Sequence, residues 1–237
     1  MLYVNSPSMH IRLGAVLSSL IIILSVIGLT MHKDFYAGKT RRDFFFFYTN
    51  LSNLIVLIYF ALAAPRLYTS STLQKMIPHA EFAVMMCIML TCFVFHFVLL
   101  PVVYDRVISM PCTREYRIAF TDNLIVHYLV PLNVFAYWLL CSPQKSSLTF
   151  ADAIGWTLIP LLYILAVFIR APIRGIIEEA GCPYPYPFLD INVLGKHCVA
   201  RICITLFFLC TAAGLILVAI LQFLSALFGT GHALFLT

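Results

Sequence analysis

Thr49, Asn50, Ser52 and Asn53 are the residues whose types and spacing first invite chemistry. They close the stretch Phe44-Phe-Phe-Phe-Tyr-Thr-Asn-Leu-Ser-Asn53, in which five aromatic side chains lead directly into polar ones. The run that follows is apolar enough to lie in lipid. There an amide or hydroxyl without a partner costs several kcal/mol, so these side chains must face other helices or a cavity. A threonine hydroxyl is a weak nucleophile until a neighbouring base takes its proton. An imidazole, which titrates near neutrality, is the usual group for that work.

Two histidines lie at a matching depth. Thr49 is six residues past Asp43 and His127 six past Thr121, each ~9 Å along its helix at 1.5 Å per residue. His96 precedes Pro101 by five residues, ~8 Å from the same face on a helix running the other way. Asn123 and His127 are four apart and share a helical face. Pro131 then removes the donor for the His127 carbonyl, so that turn is expected to be distorted. The amides of Asn50 and Asn53 are candidate donors to a developing oxyanion. Asp122, Asn123 and Asp190 are candidates to orient His127. Each residue also has an ordinary reading: a membrane threonine bonds back to its own helix, asparagines join helices, and a histidine is satisfied by a neighbour.

The elements that must position these groups are helices in a membrane. The chain has 237 residues, 62% hydrophobic and 11% charged, with mean hydropathy +0.97. A soluble domain carries about 25% charged residues. This composition therefore predicts an all-α polytopic membrane protein, one bundle of six transmembrane helices spanning 1–237. The helices are expected near 11–30, 44–64, 80–101, 121–141, 150–170 and 199–227, each long enough for a ~30 Å core. The first is expected to be retained rather than cleaved as a signal peptide. The net charge of +5 is scattered through loops and does not form a nucleic-acid footprint. Most of the eight cysteines lie inside apolar runs, with no C-x-x-C pair, so no thiolate metal site and no cofactor are expected.

Eleven of the fifteen basic residues fall in or beside the 1–2, 3–4 and 5–6 connections. The positive-inside rule puts those connections in the cytoplasm and both termini outside. Cys112 and Cys182 are then cytoplasmic free thiols. The 5–6 connection carries Gly181-Cys-Pro-Tyr-Pro-Tyr-Pro-Phe-Leu-Asp190, whose alternate prolines forbid helix. Being aromatic, it is expected to fold back over the bundle mouth, bringing Tyr186 and Asp190 above the polar level as candidate binding groups.

Three spaced motifs also carry a likeness. Phe-x-Tyr-Thr-Asn-Leu-Ser-Asn, the fourth-helix Asn-x-x-x-His-x-x-x-Pro and Tyr-Pro-Phe-Leu-Asp before the last helix resemble a bacterial group of six-helix membrane proteins. More distantly they resemble the androgen-induced family, which hydrolyses fatty acid esters of hydroxy fatty acids. The resemblance implies a threonine hydrolase with Thr49 as nucleophile and His127 as its partner. It further implies a membrane-lipid or fatty-acyl ester substrate and, for a bacterial chain, a place in the cell (inner) membrane. Two other readings of the residues stand beside it. His96 and His127 could ligate a haem between the third and fourth helices, or the asparagines and histidines could line the path of a small-solute transporter.

Overall fold

The computed structural model describes residues 7–32, 43–63, 71–101, 114–142, 145–178 and 180–228. Both chain ends, the basic clusters at Lys33–Arg42 and Arg106, and Cys112 lie outside them. Among the described residues every regular element is helical, apart from an isolated bridge between Ile177 and Cys182. In order, the two π turns aside, these are α1 (Pro7–His32), a 3-10 turn (Phe44–Phe46), α2 (Tyr48–Ala63), α3 (Ser71–Val94), α4 (Arg114–Leu124), α5 (Val130–Cys141), a 3-10 turn (Lys145–Ser147), α6 (Phe150–Gly155), α7 (Leu158–Arg174), a 3-10 turn (Pro187–Leu189), α8 (Ile191–Leu194) and α9 (Lys196–Phe228).

Among the described residues, five helical stretches are long and apolar enough to cross a membrane: Ile11–Met31, Met76–Leu99, Phe120–Cys141, Phe150–Arg174 and Lys196–Leu227. The second expected span is shorter, Tyr48–Leu62. Its aromatic lead-in is not α-helix: Phe44–Phe46 form a 3-10 turn, and Phe47 turns extended. The third begins nine residues before its expected start and runs through Pro78.

Two π turns interrupt the long helices. Phe95–Leu99 extends α3, with the Leu100 N–H bonded to the Phe95 carbonyl; Ile125–Leu129 joins α4 to α5, with the Val130 N–H bonded to the Ile125 carbonyl. Two residues after the end of each stands a proline, Pro101 or Pro131. A proline ring would collide with the carbonyl four residues back and offers it no N–H. Widening the turn by one residue moves the Phe97 and His127 carbonyls aside, which is how the expected distortion at His127 is realised.

The core is apolar and continuous from Ile21 through Val56, Phe60, Phe82, Met85 and Trp138 to Val218 and Leu221. A second, more aromatic cluster gathers Tyr48, Tyr163, Val167, Tyr184, Tyr186 and Leu189. The 175–195 connection thus packs against the bundle. Gly175 ends α7 at φ 70° and Gly195 ends α8 at φ 75°, conformations that only glycine adopts without strain. At the other end the segment before α6 caps the bundle. The Thr149 N–H and hydroxyl both donate to Asp152 Oδ2, His79 Nδ1 meets Asp152 Oδ1 at 2.7 Å, and the Gln222 amide donates to the Leu148 carbonyl. Lys145 is buried there, its ammonium donating to the Ser142 carbonyl at 2.7 Å beside the buried Glu81 carboxylate.

Candidate active site

A cavity of about 550 Å³ lies between α2, α3, the two π turns, α7, the 184–189 segment and α9. Tyr48, Thr49, Thr91, His127, Thr157, Tyr163 and Tyr186 are its polar lining residues, and the others are apolar apart from Cys203 and Cys210. Thr49 and His127, expected at one depth on different helices, both face this space and are both buried.

Thr49 is tied to Tyr186. The phenolic oxygen accepts the Thr49 backbone N–H at 3.3 Å and stands 3.5 Å from Thr49 Oγ1. Burial raises the Tyr186 phenol above its ordinary value, partly offset by its hydrogen bonds to Thr49, so it keeps its proton at neutral pH. Its ring stacks on Phe188 at 5.3 Å and meets Phe47 edge-on at 6.0 Å. Arg170 holds the segment in place. Its guanidinium pairs with Asp43 at 2.9 Å, donates to the carbonyls of Gly175 (2.7 Å) and Pro183 (3.2 Å), and lies 4.6 Å from the Phe46 ring centroid. Tyr163 adds a hydrogen bond to the Phe46 carbonyl at 2.7 Å.

His127 stacks face to face on Phe95, with centroids 3.8 Å apart and planes at 11°. Phe95 is therefore a site residue that sequence reasoning missed, having fixed on its neighbour His96. Thr91, which shares a 2.7 Å hydrogen bond with Ser52, was also missed. Its signal was a hydroxyl in mid-helix one turn before Phe95.

Several expectations need correcting. His96 does not line the cavity: it is exposed on the outer face, bonded to the Tyr128 hydroxyl at 3.0 Å. The π turn directs Phe95 inward, leaving its neighbour outward, so the two imidazoles flank no common space for a haem. Asn50 and Asn53 are not poised as oxyanion donors. The Asn50 amide donates to the Phe44 carbonyl at 2.8 Å, and that of Asn53 to the carbonyls of Thr49 (2.8 Å) and Val126 (3.2 Å). Buried amides bind the nearest backbone acceptors because leaving them unpaired is costly. Asn53 thereby ties the Thr49 turn of α2 to the residue before His127. Asp190 caps α8, accepting the Asn192 N–H at 2.8 Å, and Asn123 is half-buried; neither lines the cavity.

No protein-family model, curated protein or solved structure matches the chain. Its chemistry must be read from the cavity. A hydroxyl, an imidazole and a phenol share one largely apolar chamber, an environment that strengthens hydrogen bonds to developing charge.

Proposed function

We propose that this chain is an intramembrane hydrolase of a fatty-acyl ester, with Thr49 as nucleophile and His127 as general base. The observation that carries this reading is one cavity lined by both residues, whose wall is otherwise mostly apolar, as a long acyl chain requires. The roles given to Thr49 and His127 are those implied by the resemblance of the three sequence motifs to the six-helix and androgen-induced families. The apolar helices form a six-crossing bundle, α2 serving as the short second crossing, with both termini outside and the 175–195 connection on the cytoplasmic side. For a bacterial chain this membrane is the cell (inner) membrane.

In the proposed reaction, Thr49 Oγ1 attacks the acyl carbonyl as His127 takes its proton. The Tyr186 hydroxyl, beside Oγ1, donates to the carbonyl oxygen as it gains negative charge. The intermediate collapses by breaking the ester C–O bond, and His127 returns the proton to the departing alcohol. Water, deprotonated by the same imidazole, then cleaves the acyl-threonine and restores the hydroxyl. The test is release of free fatty acid from a long-chain acyl ester by purified wild type and by Thr49→Ala. Equal turnover by the two would end the mechanism.

A further inference from the structure

The cavity has a mouth on the side of the molecule. Four of the residues lining it are substantially exposed: Leu161 on α7 (48%) and Ile204, Phe207 and Phe208 on α9 (56%, 36% and 65%). α7 and α9 therefore stand apart here, with cavity between them rather than packed side chains.

The depth of this mouth decides what it meets. Leu161 lies ~16 Å along the axis from the start of the Phe150–Arg174 span; Ile204 and Phe208 lie ~12 and ~18 Å from the start of Lys196–Leu227. In a core of ~30 Å all three positions are bathed in hydrocarbon. The end of the cavity nearest the 175–195 connection is closed by Tyr186 stacked on Phe188 and by the fully buried Leu189. An apolar chamber opening onto acyl chains gains dispersion contacts when one fills it and forfeits them when empty. Its volume suits a single ligand of drug size, hence one acyl chain rather than a whole two-chain phospholipid.

We propose that the gap between Leu161 on α7 and Ile204, Phe207 and Phe208 on α9 is a lateral portal through which one acyl chain passes from the bilayer hydrocarbon into the cavity that holds Thr49. This rests on the reading of the chain as a membrane bundle with Thr49 as its reacting group.

The test uses the full chain in lipid nanodiscs and a non-hydrolysable palmityl ether with a mid-chain diazirine. Photolabelling of the wild type and of Thr49→Ala is expected to place adducts on Leu161, Ile164, Ile204 and Phe207. Ile204→Trp or Phe208→Trp should cut that labelling by about tenfold, the scale of overfilling a cavity by one side chain. Ile216→Trp, an equal change on the exposed face of α9 away from the mouth, should leave it unchanged. A second arm carries the diazirine in one chain of phosphatidylcholine. Adducts at the same residues from both probes assign the chain to bilayer lipid as well, and adducts from the ether alone assign it to single-chain esters; both outcomes support the portal. Labelling spread evenly over lipid-facing residues such as Leu165 and Phe223, unaffected by Ile204→Trp, would overturn it. Portal labelling without ester hydrolysis would leave the portal standing and remove the catalytic reading. Thr49-dependent hydrolysis without adducts at the mouth would do the reverse.

Discussion

Tyr186 is the side chain that most changes the reading of the site. Its hydroxyl reaches both the backbone N–H and the hydroxyl of Thr49. The amides that looked like oxyanion donors are committed to backbone carbonyls. Tyr186→Phe should therefore lower kcat by about 10²–10³-fold, as for one lost oxyanion donor, with KM little changed. Steady-state hydrolysis of an acyl ester checks this. Asn53→Ala, by contrast, should act through stability, lowering the unfolding midpoint in detergent because it unties α2 from the His127 turn. Thr49→Ser should keep measurable turnover, since it retains the oxygen. Thr49→Ala and His127→Ala should each abolish turnover, and the double variant should lose little more, because groups acting as one unit are non-additive.

The π turns set which way the site residues point. Pro131 forces the widening at Ile125–Leu129, and Phe95, presented by the matching turn before Pro101, then stacks on His127. Pro131→Ala restores the missing N–H and lets the turn relax to α geometry. Turnover should fall by about 10²-fold from misplacement of the imidazole, while circular dichroism and thermal stability hold or improve. α1 supports the same turn from behind. A Cβ at Gly28 would come within 2.7 Å of Val126 Cγ1 and 2.9 Å of Ile125 Cγ2. Both neighbours are β-branched and stiff. Gly28→Ala should therefore destabilise by about 1–3 kcal/mol, read as a lower thermal midpoint. At the opposite end, burial pushes the Lys145 ammonium down to about 8, the Glu81 carboxylate opposing the shift. Its ordinary value is 10.5. Between those limits the unfolded chain binds more protons than the folded one, so stability should rise as pH increases through that window. Thermal unfolding of wild type from pH 7 to 10 should show the rise, and Lys145→Met should flatten it.

Arg170 works at the scale of the whole molecule, because one guanidinium joins the end of α7, the start of the second crossing and the 175–190 segment. Arg170→Met leaves Asp43 without its partner and frees the segment bearing Tyr186. It should destabilise by about 3–5 kcal/mol, as when a buried pair loses one member. Arg170→Lys should recover little of that, since a lysine cannot reproduce the planar fork. Cys182, half-buried on the same segment with its thiol bonded to the Tyr184 carbonyl, reports both opening and sidedness. In permeabilised cells it should react faster with a maleimide in Arg170→Met than in wild type. In intact cells an impermeant maleimide should leave Cys182 unlabelled if the basic connections are cytoplasmic. Labelling there before permeabilisation would invert the topology.

Sequence alone was enough to show helices, and apolar ones, because composition and run length state how much chain can live in hydrocarbon without reference to neighbours. That Thr49 and His127 belong to different helices was legible for the same reason, but a helical rise counted from Asp43 was not, because Phe44–Phe47 are not α-helix and α2 starts only at Tyr48. The distortion at His127 could be read from Pro131, and the burial of Tyr184–Asp190 from prolines that forbid helix among aromatics that avoid water. What sequence could not supply was rotation about each helix axis. His96 and Phe95 are adjacent in the chain, and only the π turn decides which of them faces His127. Asn50, Asn53 and Asp190 have side chains suited to a site, yet each is spent on a nearby backbone group, an outcome set by which acceptor or donor lies within 3 Å once the helices pack. Tyr186 lies 137 residues beyond Thr49. Their meeting depends on Arg170 and Asp43 closing a long loop, and no local pattern encodes a contact made by three separate segments at once.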